Sequence, residues 1–417
     1  MGNGQWAMGS ADQRAWPVRA AQCVKHTEHH IFSFTPQTLA NWCEARGMKR
    51  FRAGQILEWV YRHGEVEPEA MSNLSKSDRA TLAAEMTFLS GQTVSEQAAT
   101  DGTRKLLVEW DESPPGETPV PPALRVLGDA SRQTECVMIP ALHDRADGGP
   151  AWRTACISSQ VGCPVGCRFC ASGLGGLDGN LSAGRIVEQV WRLDRLVKER
   201  DGLRVETDLP GPSARRADLP RISNVVFMGM GEPLANFRAV TDAIRTIAAD
   251  WAMGISARRI TVSTVGLHRA IERLADELDL PVTLALSLHA PNDVLRRELI
   301  PWAEFTSIDQ LFAACRRWFE KTGREITLEY TLLGGVNDQP EHAAELAGVA
   351  KKLRANVNLI RFNEVEGVPY ARPVAGDVRR FREILDARGV NVHIRASRGR
   401  DIAAACGQLR HEHAEAS

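Results

Sequence analysis

From residue 152 onward, the chain alternates short runs of apolar and β-branched residues with longer amphipathic segments. The short runs are typical of strands: TACISSQV, NVVFMGM, RRITVSTVG, PVTLALSLH, EITLEYTLL, NVNLIRF and VNVHIRAS. The segments between them have helical periodicity, as in SAGRIVEQVWRLDRLVKER, LHRAIERLADEL and IDQLFAACRRWFEKTG. Regular strand–helix alternation predicts the parallel βα units of an α/β fold. The pattern alone leaves two architectures open, a barrel and an open doubly wound sheet.

The part of the chain before this alternation is helical in character over residues 36–88. Helical spacing in FRAGQILEWVYRHG places four side chains on one face: Ile56, Trp59, Val60 and His63. A second helical run, NLSKSDRATLAAEM, has Ser75 and Ser77 as candidate N-terminal caps. These features predict a small helical domain.

The segments that join these two parts are rich in turn signals. DGTRKLLVEW and ALRVLGD are predicted strands on either side of the Pro-rich loop DESPPGETPVPP, and residues 201–220 interrupt the later alternation as a second loop. The chain therefore divides into five predicted parts: a polar leader (1–35), a helical accessory domain (36–95), a strand-containing linker (96–150), an α/β domain (151–410) and a tail (411–417).

The bulk composition excludes several classes of protein. The formal net charge of the 417 residues is −1, so binding to nucleic acid requires local basic patches. The sequence contains no apolar run of about 18 residues and no apolar stretch of the signal-peptide type near residue 1, so we expect a cytoplasmic protein without a membrane span. In that reducing compartment, nine cysteines indicate metal binding, redox chemistry or burial rather than a disulfide scaffold.

Unusual residues follow four consecutive predicted strands. QVGCPVGCRFCASG follows the first, GMGEP the second, STVG the third and SLHAPND the fourth. The carboxyl ends of parallel strands meet at one face, where barrels and open sheets both build their sites. We therefore expect these four motifs to form one functional site.

The first of these motifs contains three cysteines, Cys163, Cys167 and Cys170. One interpretation is that the thiols are buried as small apolar groups, although the adjacent glycines make a poor core. Zinc normally takes four ligands, so a zinc site would need Cys156 or a distant residue as its fourth ligand. A [4Fe–4S] cluster held by only three thiolates would leave one iron open to a small-molecule ligand.

The spacing C-x3-C-x2-C, with Phe169 before the last cysteine, resembles the radical SAM superfamily, in which the open iron binds S-adenosylmethionine (SAM). Further strings narrow the resemblance to the RlmN type of RNA methyltransferase and its relative, the Cfr type: GMGEP at 229–233, STVGL at 263–267, SLHAPND at 287–293, FNEVEGVPY at 362–370 and SRGRDIAAACGQL at 397–409. Val265 and Glu364 depart from that pattern, which more often has a small polar residue and a proline at these positions. The resemblance implies a partial (βα)6 TIM-like barrel over residues 151–410, with the helical domain as an RNA-binding accessory.

The resemblance also implies roles for individual residues. Cys163, Cys167 and Cys170 match the ligands of the cluster. The matches to SAM-contacting positions are Gly231, Glu232, Ser263, Ser287, Leu288, His289 and Asn363. Cys406 matches an S-methylcysteine intermediate, Cys156 its transient disulfide partner, and Glu135 a proton acceptor.

Each of these assignments has an ordinary alternative. Glycine-rich turns are common, and a lone His289 is more often a structural histidine. Taken alone, Cys156 and Cys406 would be inert buried thiols, and Glu135 a solvated surface carboxylate. The cysteines without a match are expected to be structural: Cys23, Cys43, Cys136 and Cys315.

The activity implied by the resemblance is formation of 2-methyladenosine in 23S rRNA and in tRNAs, with two SAM molecules consumed per turnover. Carbon-2 of adenine is electron-poor and does not attack a methyl group, so a carbon radical on methylated Cys406 adds to the ring instead. We expect a monomer that receives electrons from a donor such as flavodoxin or ferredoxin. Two alternatives stay open: methylation of carbon-8 by the same machinery, as in the Cfr type, and a non-catalytic zinc-bound RNA-binding protein.

Two basic stretches are candidates for holding an RNA backbone. The first lies in the helical domain: Lys49, Arg50, Arg52 and Arg62. The second lies near the C-terminal end: Arg372, Arg379, Arg380, Arg382, Arg388, Arg395, Arg398 and Arg400. The alternative for each stretch is an ordinary solvated helix face.

Overall fold

The computed structural model describes residues 29–111, 132–141, 151–200 and 221–409. Several sequence predictions lie outside these residues: most of the polar leader, the strand in ALRVLGD, the Pro-rich loop after residue 111, the 201–220 insertion, Cys23 and the C-terminal tail.

The elements confirm the predicted mixture of helices and strands. The helices are α1 (Pro36–Glu44), α2 (Arg52–Glu58), α3 (Lys76–Glu85), α4 (Ala183–Arg200), α5 (Phe237–Ala248), α6 (His268–Glu277), α7 (Asp293–Leu299), α8 (Ile308–Thr322), α9 (Pro340–Ala350) and α10 (Ala375–Ala387). The strands are β1 (Gly91–Ala98), β2 (Arg104–Trp110), β3 (Gln133–Pro140), β4 (Arg153–Cys156), β5 (Gln160–Gly162), β6 (Leu177–Asn180), β7 (Asn224–Phe227), β8 (Ile260–Thr264), β9 (Thr283–Ser287), β10 (Ile326–Leu332), β11 (Ala355–Arg361) and β12 (Val392–Arg395). Across the described ranges, no helix is both long enough and apolar enough to span a bilayer.

The N-terminal region is helical, as the sequence predicts. Ser75 caps α3, since its hydroxyl accepts a hydrogen bond from the backbone N–H of Asp78 at 3.0 Å. The helix α2 continues as a π-helical turn over Trp59–His63. Ile56 and Val60 are fully buried on the predicted apolar face.

The N-terminal region is joined to α4 by a buried polar contact. His30 Nε2 lies 2.9 Å from Glu188 Oε2, and the same oxygen accepts hydrogen bonds from the backbone N–H and the hydroxyl of Ser90. Arg192 completes the contact, with its Nη2 2.7 Å from the other Glu188 oxygen. Because Glu188 is fully buried, these partners replace the water that its carboxylate loses on folding.

The strands form one ten-stranded sheet and a separate β5–β6 hairpin within the described residues. The order in the sheet is β1-β2-β3-β4-β7-β8-β9-β10-β11-β12. The pairs from β1 to β4 are antiparallel. The pairs from β4 to β12 are parallel, and at least one helix connects each of these parallel strands to the next along the chain. This central parallel sheet confirms the predicted α/β class.

The parallel strands curl toward one another. Arg395 ends β12, and its Nη1 donates a hydrogen bond to Sδ of Met228 at 3.2 Å, just after β7. Four strands separate β7 from β12 in the sheet order, so a flat sheet would not allow this contact. The architecture is therefore the partial barrel rather than the doubly wound sheet.

The side chains of the barrel strands divide between the helices and the interior. In β10, Leu328 and Tyr330 belong to the main apolar core. Glu329 and Thr331 alternate with them and line a cavity at the strand ends. The interior of the barrel is consequently polar near its carboxyl-terminal end, which is where a polar ligand would be received.

Three details of the sheet differ from the sequence prediction. β1 begins at Gly91, within the range assigned to the helical domain, and β3 was not predicted as a strand. The polar residues of β3 are satisfied by tertiary partners, as where Gln133 Nε2 donates to Glu109 Oε2 at 2.8 Å. The strand therefore has polar residues followed by an apolar run, without the alternation that predicts a strand from sequence. The predicted strand TACISSQV is divided, because β4 ends at Cys156 and β5 pairs with β6 instead of continuing the main sheet.

Candidate active site

The cysteine loop after β5 is held by backbone hydrogen bonds at both ends. The N–H of Cys163 donates to the carbonyl of Gly176 at 2.7 Å. On the other side, the N–H of Ala171 donates to the carbonyl of Gly407 at 2.8 Å. The second contact places the cysteine loop directly against the segment that carries Cys406.

All three cysteines of this loop line one cavity of about 160 Å³ at the carboxyl ends of the barrel strands. The other predicted site residues in its wall are Gly231, Glu232, Ser263, His289 and Cys406. Four motifs that are distant in sequence therefore meet at one place, as the strand-end argument predicted.

The loop cysteines provide a set of soft, partly buried sulfur donors. Burial raises the pKa of Cys163 to about 12 and also raises the pKa of Cys167 and Cys170. Thiols in such a place ionise only when a metal centre compensates the negative charge. Among the described residues, no three His, Cys, Asp or Glu side chains converge as ligands of a single ion would. A [4Fe–4S] cluster does not require that convergence, because each thiolate binds a different iron, so the donor set fits a cluster.

The GMGEP turn has a backbone that only glycine adopts easily. Gly231 has φ +100°, and a Cβ there would lie 2.6 Å from Cβ of Gln160 and 2.8 Å from Oγ of Ser159. The missing side chain lets the turn pack directly against Ser159 and Gln160, and it places Gly231 in the wall of the cavity that the three loop cysteines line.

Glu232 connects this turn to the end of β8. Its Oε1 accepts a hydrogen bond from the N–H of Leu234 at 2.9 Å, and its Oε2 accepts one from the N–H of Val265 at 2.7 Å. Burial raises the pKa of Glu232 to about 7, although both hydrogen bonds oppose that change. Because Val265 contributes its backbone to this contact, its departure from the family pattern leaves the connection intact.

The end of β9 brings in the residues of the SLHAPND motif. Ser287 Oγ lies 3.4 Å from Ser263 Oγ. Leu288 is fully buried in the apolar core, and its N–H donates to the carbonyl of Glu329 at 3.0 Å. The side chain of Leu288 therefore faces away from the cavity, which leaves its backbone as the part near a ligand.

His289 has an unusual backbone and a defined tautomer. Its φ is +57°, and its Nδ1 accepts a hydrogen bond from the N–H of Thr331 at 3.0 Å. The proton of the neutral ring must then be on Nε2. Burial lowers the pKa of His289 to about 3, with the positive charge of Arg296 adding to the effect, so the ring is neutral near pH 7.

A second cavity, of about 260 Å³, adjoins the first. Its wall includes Cys156, Asn363, Arg395 and Cys406, so Cys406 and Arg395 line both cavities. Asn363 Nδ2 donates to the carbonyl of Cys406 at 3.2 Å, which fixes the backbone of that residue. Burial raises the pKa of Cys156 to about 12, Cys406 adds to this effect, and Arg395 opposes it. The two cysteines thus lie on a shared wall, with Cys406 at the junction of the cavities.

Glu135 lies on β3, outside the walls of these two cavities. It is 2% exposed, so the alternative of a solvated surface carboxylate is wrong. Its Oε1 lies 2.6 Å from Nζ of Lys105, and its N–H donates to Sδ of Met230 at 3.5 Å. Glu135 therefore lies behind the GMGEP turn, in a buried ion pair.

Arg395 and Glu329 are residues of the cavity walls that the sequence prediction missed. Arg395 was grouped with the basic RNA-binding stretch, but it lies between the two cavities, where Cys406 and Glu329 increase its pKa. Glu329 lies within the predicted strand EITLEYTLL and lines the first cavity. The available signal for Glu329 was that it is the only charged residue in β10, whereas the contacts of Arg395 depend on the curl of the barrel.

The remaining sequence predictions divide between surface and core. Lys49, Arg50 and Arg62 are exposed, and Arg50 forms an ion pair with Glu44 at 2.6 Å. In the C-terminal stretch the exposed arginines are Arg379, Arg380, Arg382, Arg388 and Arg400, whereas Arg372, Arg395 and Arg398 are partly buried. Of the cysteines expected to be structural, Cys43, Cys136 and Cys315 are fully buried.

Comparison with known proteins agrees with the geometry. Residues 157–347 match the family model of the radical SAM superfamily, and residues 29–87 match that of the ribosomal RNA large subunit methyltransferase N-terminal domain. The superfamily implies a [4Fe–4S] cluster and SAM, which the three-thiol donor set fits.

The chain is similar over most of its length to curated methyltransferases. It is 39% identical over 388 residues to a probable dual-specificity RNA methyltransferase RlmN of Rhodopirellula baltica, which covers 93% of this chain and 92% of that protein. It is 43% identical over 383 residues to a protein of the same name from a Synechococcus strain, with 90% and 95% covered. The crystal structure of a radical SAM methyltransferase from Sphaerobacter thermophilus matches with 39% identity and a TM-score of 0.79, covering 92% of this chain and all of that one. The chain belongs to the RlmN family of radical SAM RNA methyltransferases.

Proposed function

We propose that this protein forms 2-methyladenosine in 23S rRNA and in tRNAs, using two SAM molecules per turnover. The observation that carries the proposal is the position of Cys406, which lines both the cavity of the three loop cysteines and the cavity of Cys156. A methyl carrier must meet the radical source on one side and its release partner on the other. Because Cys406 lines both cavities, it has the loop cysteines on one side and Cys156 on the other.

Most of the residues proposed to hold the cofactors line the first cavity, whereas Asn363 lines the second and Ser287 and Leu288 lie beside the first at the end of β9. Cys163, Cys167 and Cys170 would bind the cluster, and Gly231 and Glu232 would hold the methionine part of SAM. The remaining proposed SAM contacts are Ser263, Ser287, the backbone of Leu288, His289 and Asn363. When bound, the cluster and SAM supply a methyl group for Cys406 and a radical that removes a hydrogen atom from that methyl group.

The two cysteines outside the loop then carry the transfer. The carbon radical on Cys406 forms a bond to the adenine ring. The ring then loses one electron, which the cluster would accept, and one proton, so that RNA and protein are joined covalently. The thiolate of Cys156 attacks the sulfur of Cys406, the sulfur–carbon bond breaks, and its electron pair stays with the carbon, which takes up a proton from solvent to become the methyl group of the product. The disulfide that results is reduced by two electrons from an external donor, such as flavodoxin or ferredoxin, before the next turnover.

Glu135 is the proposed acceptor of the proton that the adenine ring loses. Its carboxylate is held in position by Lys105, whose Nζ lies 2.6 Å from Oε1. Since Glu135 lies behind the GMGEP turn, we propose that it receives the proton through one bridging water.

Methylation at carbon-8 is the alternative within the family type, because it would use the same cysteines. The names of the relatives favour carbon-2, since the proteins reported above are described as RlmN. RNA binding is proposed for residues 36–95, which overlap the matched methyltransferase N-terminal domain.

The test is anaerobic incubation of the cluster-containing protein with rRNA or tRNA and methyl-labelled SAM. The RNA is then digested, and the labelled nucleoside is compared by chromatography and mass with 2-methyladenosine and 8-methyladenosine standards. The proposal predicts that the label is found in 2-methyladenosine. Label in 8-methyladenosine would show that the protein methylates carbon-8 instead. A colourless zinc protein that methylates neither position would support the non-catalytic alternative instead.

A further inference from the structure

Glu329 has a buried carboxylate oxygen with no hydrogen-bond partner among the described residues. The side chain lines the 160 Å³ cavity at the strand ends, and the residue is 4% exposed. Its Oε1 accepts a hydrogen bond from Nδ2 of Asn358 at 3.1 Å, whereas Oε2 has no partner in the described structure. A buried carboxylate oxygen without a donor is destabilising, so the position indicates a ligand that donates hydrogen bonds.

The backbone of Glu329 ties it to the proposed SAM-binding run at the end of β9. Its carbonyl accepts from the N–H of Leu288 at 3.0 Å and from the N–H of His289 at 3.3 Å. In the parallel ladder its register partner is Ser287. The carboxylate of Glu329 is thus held on the strand next to this run, with Asn358 on the following strand fixing the position of one oxygen.

The carboxylate of Glu329 restricts which group of SAM can donate the hydrogen bond. The two buried carboxylates of the cavity lie on different walls, Glu232 after β7 and Glu329 within β10. The carboxylate of the methionine part of SAM would be repelled by Glu329. The ribose of SAM carries two neighbouring hydroxyl groups, which are neutral donors, and protein carboxylates bind ribose hydroxyls in nucleotide sites.

We infer that Glu329 is a further SAM-binding residue, whose Oε2 accepts a hydrogen bond from a ribose hydroxyl of SAM. The inference rests on the proposed function, because it requires SAM in this cavity. Asn358 acts as a positioning residue, since its amide occupies Oε1 and leaves Oε2 for the ligand.

The experiment measures binding rather than turnover. Cluster-containing protein is dialysed anaerobically to equilibrium against SAM, 2′-deoxy-SAM and 3′-deoxy-SAM, without RNA. The unmodified protein is expected to bind at least one deoxy analogue about tenfold more weakly than SAM, the size of one charge-assisted hydrogen bond. Glu329→Gln is expected to weaken SAM binding by about the same factor and to remove the preference for SAM over that analogue.

The matched control is Glu325→Gln, which makes the same chemical change at the exposed start of the same segment. It is expected to leave all three dissociation constants unchanged. Iron content and the thermal unfolding midpoint are measured for each variant.

Two results would overturn the inference. One is equal binding of SAM and both deoxy analogues by the unmodified protein, a test that needs no variant to fold. The other is a Glu329→Gln protein that retains its iron and keeps the preference for SAM. Failure of the unmodified protein to bind SAM at all would instead refute the proposed function, so the two failures are distinguishable.

Discussion

Lys105 and Glu135 form an ion pair inside the protein, with 2.6 Å between Nζ and Oε1. The two side chains are 4% and 3% exposed and lie on neighbouring antiparallel strands, β2 and β3. A buried carboxylate near a site invites a catalytic interpretation, but a buried pair also contributes to folding. The contribution of the pair to catalysis and its contribution to folding can be measured separately, because Lys105 and Glu135 can be replaced independently.

Replacing Lys105 by Met is expected to destabilise the protein. The change leaves the Glu135 carboxylate buried without its paired charge, which typically costs about 3–5 kcal/mol of unfolding free energy. Urea unfolding of the cluster-free protein measures the loss. The double variant Lys105→Met/Glu135→Leu is expected to recover most of it, and a Lys105→Met protein as stable as the parent would show that the pair contributes little.

Removal of either reactive cysteine is expected to give a distinct product. Cys406→Ala lacks the methyl carrier and should form no methylated adenosine. Cys156→Ala should join RNA to the carrier but fail to release it, so a covalent protein–RNA adduct accumulates and is visible as a shifted band on a denaturing gel. Cys315→Ala is the control, because Cys315 is buried in the core and lines neither cavity. Normal turnover by Cys156→Ala without an adduct would contradict the release step.

Gly231→Ala is expected to impair SAM binding more than folding. The new Cβ would lie within 2.6 Å of a Gln160 atom, at a φ of +100° that strains any L-residue by about 1–3 kcal/mol. The turn must shift toward the cavity, so the SAM dissociation constant should rise about tenfold. Gly348→Ala in α9 is the matched control, because its Cβ meets nothing within 4 Å and the helix favours alanine. Equal SAM affinity in the Gly231→Ala and Gly348→Ala variants would show that SAM binding does not depend on the backbone position of Gly231.

The sequence was most informative where strands are buried between layers. NVVFMGM predicts β7 because a short run of apolar and β-branched residues between two helical segments is typical of a buried strand. β3 was missed because its polar residues are satisfied by partners far away in sequence, such as Lys105 for Glu135. The strand propensity of a segment does not depend on which residues of another strand will contact it in the fold, so propensity alone could not identify β3.

The site was predictable in its motifs but not in its connections. The position of Cys163, Gly231 and His289 at strand ends follows from the order of the elements. The position of Arg395 between two cavities follows only from the curl that brings β12 against Met228. For the same reason the sequence placed Glu135 in the site by resemblance and could not show that it is paired with Lys105.

The contact between the N-terminal region and α4 predicts a pH-dependent contribution to stability. Burial alone would raise the pKa of Glu188, but the hydrogen bond from His30 and the charge of Arg192 lower it to about 2, from an ordinary value of 4.5. A carboxyl group whose pKa is lowered by folding stabilises the protein above its unfolded pKa. That stabilisation is lost as the pH falls from about 4.5 toward 2.

Glu188→Gln is therefore expected to lower the unfolding free energy at pH 7 by on the order of 3 kcal/mol. The difference between parent and variant should be constant from pH 7 down to about 4.5 and should shrink below that. Urea unfolding across this pH range measures it. Glu277→Gln, at an exposed pair with Arg273, should produce little change at any pH. If the difference in unfolding free energy between the parent and Glu188→Gln grew as the pH fell, folding could not be lowering the pKa of Glu188 as stated.

The surface around Phe51 is the part of the helical region best suited to contact RNA. Phe51 is 57% exposed, and Lys49 Nζ lies 6.0 Å from the centre of its ring. Arg50 is exposed beside it, whereas Arg52 is engaged internally with Asp78 at 3.2 Å. Charge reversal at Arg52 would therefore disturb the fold, and the informative variant is Lys49→Glu/Arg50→Glu.

That double reversal is expected to weaken RNA binding and to reduce its dependence on salt. The slope of log affinity against log salt should become shallower by roughly one for each lost phosphate contact. Reductive cleavage of SAM without RNA should be unchanged, because the cavities lie in the barrel. Arg316→Glu/Lys351→Glu alters the net charge equally on exposed helical surface of α8 and just after α9, and should leave the slope unaltered. If both double variants changed the slope alike, RNA would be responding to net charge, and the helical region would make no specific contact.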